Sequence, residues 1–426
     1  MKKYWYKLDT AALIFPAIRN RKWANLFRVS ARLHEDIDPE ILQKAVIDLK
    51  KRFPTFYVRL CPGLFWYRLE ESKTLPEVSQ DYAYPLVLMP HHELRKHCMR
   101  IRYYRNRVAL EYFHSVTDGT GAILFLKNLI RRYLFLKNGV EIPDDEVFLN
   151  LEEAPKKEEL EDSFLKNSSG FAFNDKDENV YKEEGDKNPR DIRLITGTLS
   201  ADTLHEKAHE FGCSVTVFLA AVMAEALIGI QNAEKPKRKQ KPVKIGIPIN
   251  LRKLYGSRTI RNFVLVLNIG VDPRQGEYTL QELCDSLKHQ LLTKNTPQVM
   301  AGKIAENTLP RESIAVRLAP LPIKNLFLNI VYNIRGERGL CISLSNIGVV
   351  SLPEEIGEQV QEMEFICAPA KQNVHNCGIL TYRGKTKINL MRDIERPELE
   401  RRFFSRLVEL GIPVEIESNE GKSCTV

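Results

Sequence analysis

An apolar strand that ends in a histidine, a turn that carries Asp-Gly and a helix that starts at once constrain this chain more than any other stretch. Arg107-Val108-Ala109-Leu110-Glu111-Tyr112-Phe113 reads as the strand, and His114-Ser115-Val116-Thr117-Asp118-Gly119-Thr120-Gly121 as the turn. From Ala122 the spacing of Ile123, Leu124, Leu126, Leu129, Ile130, Tyr133 and Leu134 predicts an amphipathic helix. Gly119 and Gly121 are expected to allow the tight backbone path that aims the imidazole into a cavity. A loop between a strand and a helix is a place where reactive groups are held on a rigid scaffold. A neutral imidazole there can take a proton near pH 7, because its ordinary pKa lies close to that value.

Length and composition set the frame for this motif. The chain has 426 residues, enough for two or three units and a large core. Its 43% hydrophobic and 28% charged content is that of a soluble globular protein. A net charge of +8 is modest at this length, and no basic stripe interleaved with aromatics supports nucleic-acid binding. Cys61, Cys98, Cys213, Cys284, Cys341, Cys367, Cys377 and Cys424 are scattered without a C-x-x-C pair, which predicts reduced thiols in a cytoplasmic protein. The start Met1-Lys2-Lys3 could open a leader, but Asp9 and Pro16 interrupt any apolar run. Cys213 to Ile230 approaches the length of a membrane span, yet it contains Glu225 and lacks aromatic belts. It is expected to be a buried core helix, with no membrane span.

Strands are expected at Leu26 to Leu33, Tyr57 to Leu60, Phe65 to Leu69, Leu86 to Leu88 and Met99 to Tyr104, with a helix capped by Asp38-Pro39 and running to Leu49. This mixture builds a first α/β lobe over residues 1–155. Residues 156–190 are highly charged and poor in aliphatics, as in Lys156-Lys157-Glu158-Glu159, and read as a surface connector. A second lobe, 191–426, holds the apolar helix, strands around Val243 to Pro248, Phe263 to Gly270, Leu340 to Leu344 and Gly378 to Tyr382, and a last helix from Pro397 to Leu410.

The run His114-x-x-x-Asp118-Gly119 resembles the HxxxDG motif of the chloramphenicol-acetyltransferase-like acyltransferases. That superfamily includes nonribosomal peptide condensation domains, wax ester and alcohol acyltransferases and the plant BAHD enzymes. Pro248-Ile249-Asn250-Leu251-Arg252, followed by Arg261-Asn262-Phe263, resembles the family's P-x-N/D-x-R and R-N region, and Ser345-Asn346-Ile347-Gly348 its SNxG strand end. Phe113 stands where peptide-forming condensation domains usually carry a second histidine, and the plant DFGWG signature is absent. The resemblance therefore points to a free-standing O-acyltransferase of the bacterial alcohol acetyltransferase type.

What the resemblance implies is an α/β fold of two similar lobes with an active-site tunnel between them. His114 would act as general base on an alcohol while it attacks a thioester, so no serine or cysteine nucleophile is needed. Asp118 would turn away from the imidazole and pair with an arginine of the other lobe, for which Arg252 is the candidate. Gly119 would be a backbone device. Oxyanion or substrate contacts would come from the backbone around Gly119 or from Ser345 and Asn346, although the latter two could equally be an ordinary strand end. Acyl-CoA would be the co-substrate, with no bound cofactor or metal and a small-molecule alcohol as acceptor. Transfer from an acyl carrier protein and a non-catalytic binding module are the alternatives. The protein is expected to be a cytoplasmic monomer.

Three other patterns are set against this reading. His205-Glu206-Lys207-Ala208-His209 matches H-E-x-x-H, in which two histidines bind zinc, but Lys207 and an apolar Leu204, Ala208, Phe211 stripe count against it. His91-His92 and His97 lack a ligand spacing and read as a surface turn. The basic run from Lys235 to Lys241 reads as a solvated loop before a strand, with a coenzyme A phosphate contact as its functional rival.

Overall fold

The alternation of two hydrophobic periods along the chain, near 2 in some runs and 3.6 in others, becomes a mixed α/β architecture. The computed structural model describes residues 5–19, 25–81, 85–139, 148–168, 178–185 and 192–419. The opening Met1-Lys2-Lys3 and Cys424 lie outside these residues.

The first half supplies β1 (Trp5–Lys7), β2 (Leu26–Leu33), β3 (Val58–Pro62), β4 (Tyr67–Glu71), β5 (Val78–Gln80), β6 (Met99–Tyr104) and β7 (Arg107–Phe113). The second supplies β8 (Arg193–Ser200), β9 (Val243–Asn250), β10 (Val264–Val271), β11 (Ile342–Val350), β12 (Val360–Cys367), β13 (His375–Tyr382), β14 (Lys385–Arg392) and β15 (Glu415–Ser418). They form sheets in the orders β1-β4-β3, β12-β2-β7-β6-β5 and β10-β9-β11-β13-β14-β8-β15. The two larger sheets are the centres of two lobes, each with its own hydrophobic core.

The first of these sheets is not made from the first half alone. β12 lies antiparallel on β2, with Phe365 opposite Val29 and Cys367 opposite Phe27. An edge strand of the N-terminal lobe therefore comes from well beyond residue 155. That crossing brings Phe365 to the end of the sheet where His114 sits.

Local chemistry explains the helices that flank these sheets. Asp38 caps the Pro39–Leu49 helix, accepting from Glu40 N at 2.9 Å and Ile41 N at 3.1 Å. Its buried Leu42, Ala45, Val46 and Leu49 face the Gly119–Asn138 helix, which stops at Gly139 with φ of 68°. The Val215–Glu234 helix is long and apolar enough to cross a membrane, yet Val217 through Ala224 are buried in the second core. Its Glu225 pairs with Arg406 at 2.8 Å.

Two expectations are corrected. Leu86 to Leu88 form no strand: Leu86 takes a positive φ of 62°, and its N–H donates to Glu111 Oε1 at 2.8 Å instead of to a neighbouring strand. Nor are the described parts of the 156–190 stretch, residues 156–168 and 178–185, merely a surface connector; the rest lies outside the described residues. Glu159 forms a bidentate pair with Arg52 at 2.6 and 2.7 Å, Phe164 packs edge-on against Phe263, and Val180 and Tyr181 enter the second core. Few apolar side chains suffice because they enter existing cores and the buried carboxylates find partners.

Glu183, in the same stretch, accepts from His375 Nε2 at 2.9 Å, and Arg392 holds Glu400 at 3.0 Å on the other side of the imidazole. Burial alone would push the His375 pKa down, but the Glu183 hydrogen bond and the charges of Glu400 and Glu183 outweigh it and raise the pKa above 6.5. A raised folded-state pKa stabilises fully below the unfolded value and stops doing so as pH rises through the folded value. Thermal stability should therefore fall as pH is raised above 6.5, and His375→Gln should flatten this part of the profile. An unchanged slope in melting curves across that window would remove His375 as its source.

Candidate active site

β7 ends at Phe113, and His114 follows with its backbone N–H bonded to Asn25 O at 3.0 Å. The ring stacks on Phe15 with centroids 4.9 Å apart and meets the edge of Phe27 at the same distance. Its Nδ1 lies 3.1 Å from Asn262 Oδ1. The amide's other end donates to Asp9 Oδ2 at 3.1 Å and to His114 O at 3.0 Å. Those two atoms are acceptors, so the amide must present its oxygen to the imidazole. Nδ1 therefore carries the hydrogen, and Nε2 is left with its lone pair. Burial lowers the His114 pKa, and the charge of Asp118 and the bond to Asn262 only partly offset this, so the ring is neutral at pH 7.

Asp118 does a different task. Its carboxylate accepts from Arg252 Nη1 at 2.9 Å and Nη2 at 3.0 Å, from Phe263 N at 2.9 Å, and from Gly121 N at 3.2 Å as the helix N-cap. Arg252 in turn donates to Thr259 O at 2.7 Å and Arg261 O at 2.6 Å. Thr117 Oγ1 bonds Ile260 O at 2.6 Å. The loop 114–121 is thus fastened to residues 252–263 of the second lobe, and Asn262 is delivered to the imidazole by the same segment.

The glycines serve space, not an unusual backbone. Neither Gly119 nor Gly121 has a positive φ, so the tight path expected there is one of close approach. A Cβ on Gly119 would meet Ile347 Cδ1 at 2.4 Å and the Phe365 ring at 3.4 Å, and one on Gly121 would meet Ile260 O at 2.3 Å. Close approach of β11, β12 and the second-lobe loop is what requires them.

Ser345 and Asn346 are not brought into hydrogen-bond contact with His114 or Asp118. The Ser345 hydroxyl faces the Cys367 thiol, and Asn346 donates to Thr216 Oγ1 at 3.1 Å while accepting from Gly348 N at 2.8 Å. Ile347 is the residue of that segment that reaches the loop. His205, Glu206 and His209 lie exposed on the Ala201–Glu210 helix, and among the described residues no group of three His, Cys, Asp or Glu is placed to hold a metal ion. His91 and His92 begin a short surface helix, His97 contacts Thr74 Oγ1 at 3.1 Å, and Lys237–Lys239 form an exposed turn.

Sequence reasoning missed Asp9 and the orienting contact of Asn262. Asp9 is fully buried, accepts from Ala12 N at 2.8 Å and lies 3.7 Å from Arg261. Burial raises its carboxyl to about 6. Asn262 stood inside the quoted Arg261-Asn262-Phe263 segment, whereas Asp9 is adjacent to no motif and had no local signal.

The two-lobed fold is shared with solved structures of acyltransferases and of condensation domains. It is similar to a trichothecene 15-O-acetyltransferase from Fusarium sporotrichioides, with TM-score 0.61 and 10% identity over 96% of this chain and 94% of that one. It is also similar to the starter condensation domain of rhizomide synthetase in complex with C8-CoA, with TM-score 0.61 and 13% identity over 96% and 94%. A wax ester synthase/diacylglycerol acyltransferase from Marinobacter aquaeolei VT8 matches with TM-score 0.56 and 13% identity over 95% and 99%. No family model matches the sequence and no curated protein matches it, so the likeness is carried by the fold.

The Asp118–Arg252 pair is almost fully enclosed, with side-chain exposures of 3% and 11%. Removing one partner leaves an unpaired charge and should cost about 3–5 kcal/mol. Asp118→Asn and Arg252→Gln should each lower the unfolding free energy, and the double variant should lose much less than the sum. Additive losses in denaturant titrations would show that the two act separately.

Proposed function

We propose that this protein is an O-acyltransferase that moves a short acyl group, such as acetyl, from acyl-CoA to an alcohol with His114 as general base. One observation supports the reading: with the Asn262 oxygen on Nδ1, the lone pair of the neutral ring falls on Nε2. The alcohol O–H gives its proton to Nε2 as its oxygen attacks the thioester carbonyl. Collapse of the tetrahedral intermediate breaks the C–S bond, and the imidazolium returns the proton to the leaving thiolate. Thiolate leaves readily, so a positioned base and an oxyanion donor are enough. We assign the donor to the N–H groups of Gly119 and Thr120 at the start of the Gly119–Asn138 helix, because Gly121 N is held by Asp118 and the Asn346 side chain is committed to Thr216 and Gly348. The likeness to an acetyltransferase, a wax ester synthase and a condensation domain that binds C8-CoA supports this class of chemistry.

His114→Ala should leave the melting temperature near that of the parent and lower turnover about 10²–10⁴-fold, measured as free thiol released from acyl-CoA with an alcohol acceptor. In the parent, kcat/KM should decline on the acid side with a midpoint below 6.5, since protonated His114 cannot accept the alcohol proton and its pKa is lowered. Near-normal transfer by the alanine variant would take His114 out of the mechanism.

The donor can be tested separately. Binding of the coenzyme A phosphates should draw on basic side chains, so KM for acyl-CoA should rise with ionic strength while transfer proceeds without added protein. If acyl-CoA fails and an acyl carrier protein bearing the same group succeeds, the carrier-dependent reading replaces this one.

A further inference from the structure

Residues 313–336 pack in the opposite sense to an ordinary surface segment. Ile314 and Leu318 on one short helix, and Ile323, Leu326, Phe327 and Ile330 on the Leu321–Val331 helix, are between 48% and 72% exposed. The last four recur at i, i+3, i+4 and i+7 and so share one helix face. The opposite face, with Leu321, Lys324, Asn325 and Leu328, is mixed and turned inward. Lys324 is buried, donates to Phe65 O at 2.8 Å and lies 3.3 Å from the Trp66 ring centroid, and Asn325 donates to Tyr67 OH at 3.1 Å. The helix is anchored by these contacts and by Leu321 N to Leu64 O at 2.9 Å, so the apolar face cannot simply roll inward.

The patch continues onto the β3–β4 tip, where Leu64 is 73% exposed. There a cavity of about 570 Å³ lies between the tip and the short helix, with Trp5, Phe65 and Trp66 among its walls and Arg317 at its edge. Contiguous apolar area of this kind marks an interaction site. Charge indicates which kind. From Ser313 to Gly336 the sequence holds Arg317, Lys324 and Arg335 but no Asp or Glu. Arg317 is exposed and makes no ion pair among the described residues, and Lys371 sits at the helix flank on Asn329 and Asn333. In a symmetric dimer through this face, a segment without acidic residues would meet itself and leave Arg317 without a counter-charge. An anionic lipid surface satisfies both features, taking the apolar side chains into the acyl boundary and Arg317 at the headgroups.

We infer that the 313–336 face and the β3–β4 tip dock on an anionic membrane surface, with the cavity mouth at the interface. The inference is independent of the acyl-transfer reading. The full chain should cosediment with vesicles of phosphatidylcholine and phosphatidylserine, bind phosphatidylcholine vesicles more weakly, and lose the difference at high salt. Arg317→Gln should weaken binding to the anionic vesicles about fivefold. Leu318→Ser combined with Phe327→Ser should abolish it while the melting temperature stays within a few degrees of the parent, because both residues are exposed. The inference is overturned if the parent stays in the supernatant with both vesicle types, or if the double variant sediments like the parent. It is equally overturned if sedimentation equilibrium shows a dimer that this variant disrupts and vesicles bind neither form.

Discussion

The carboxylate of Asp118 is the point on which the site depends. It receives two guanidinium N–H groups, the N–H of Phe263 and the N–H of Gly121 in the first turn of its own helix, so a single buried charge joins two lobes, a loop and a helix start. Charge-assisted bonds of this kind are stronger than neutral ones, and enclosure by protein strengthens them further. The bidentate fork of Arg252 also fixes direction, which a lysine could not do. The orienting contact on the His114 ring hangs on this junction, because the segment that carries Arg252 and Phe263 also carries Asn262.

The work given to one aspartate in a hydrolase triad is here divided between two. Asp118 holds backbone and lobe, while Asp9 holds the Asn262 amide, which holds the imidazole. A carboxylate directly on Nδ1 would favour the imidazolium; an amide oxygen does so less, and burial favours the neutral ring. The arrangement keeps Nε2 basic and uncharged at neutral pH. That suits a reaction whose leaving group is a thiolate and whose nucleophile is an alcohol, in which the proton acceptor needs position more than strength.

Much of this was legible in the chain, and the reasons for the remainder are physical. Helix limits such as Asp38-Pro39 to Leu49 were readable because caps and periodicity are local. The two-lobed α/β fold was readable through three short motifs whose order and spacing resemble one family, and the structure brings Asp118 and Arg252 together across 134 positions. Tertiary events were not readable. Asp9 reaches Asn262 across 253 positions, and nothing beside it in the chain marks it as buried. The charged 156–190 stretch misled because its hydrophobicity was averaged, whereas order there rests on individual residues such as Phe164, Tyr181 and Glu183 meeting partners elsewhere. Gly119 was read by its backbone freedom, but its constraint is Ile347 and Phe365, which lie more than two hundred residues away.

The crossing of β12 onto the N-terminal sheet explains why those distant residues meet at His114. β12 pairs with β2 along its whole length, and β2 pairs with β7, so Phe365, Phe27 and the end of β7 are set by one continuous ladder. Phe365 packs on Phe27 at 6.1 Å, and Phe27 packs on the imidazole at 4.9 Å. A first half cut off near residue 155 would lose β12 from this ladder and Arg252 from Asp118 at the same time. The position of the imidazole is therefore fixed from both sides of the interface, and the site belongs to neither lobe alone.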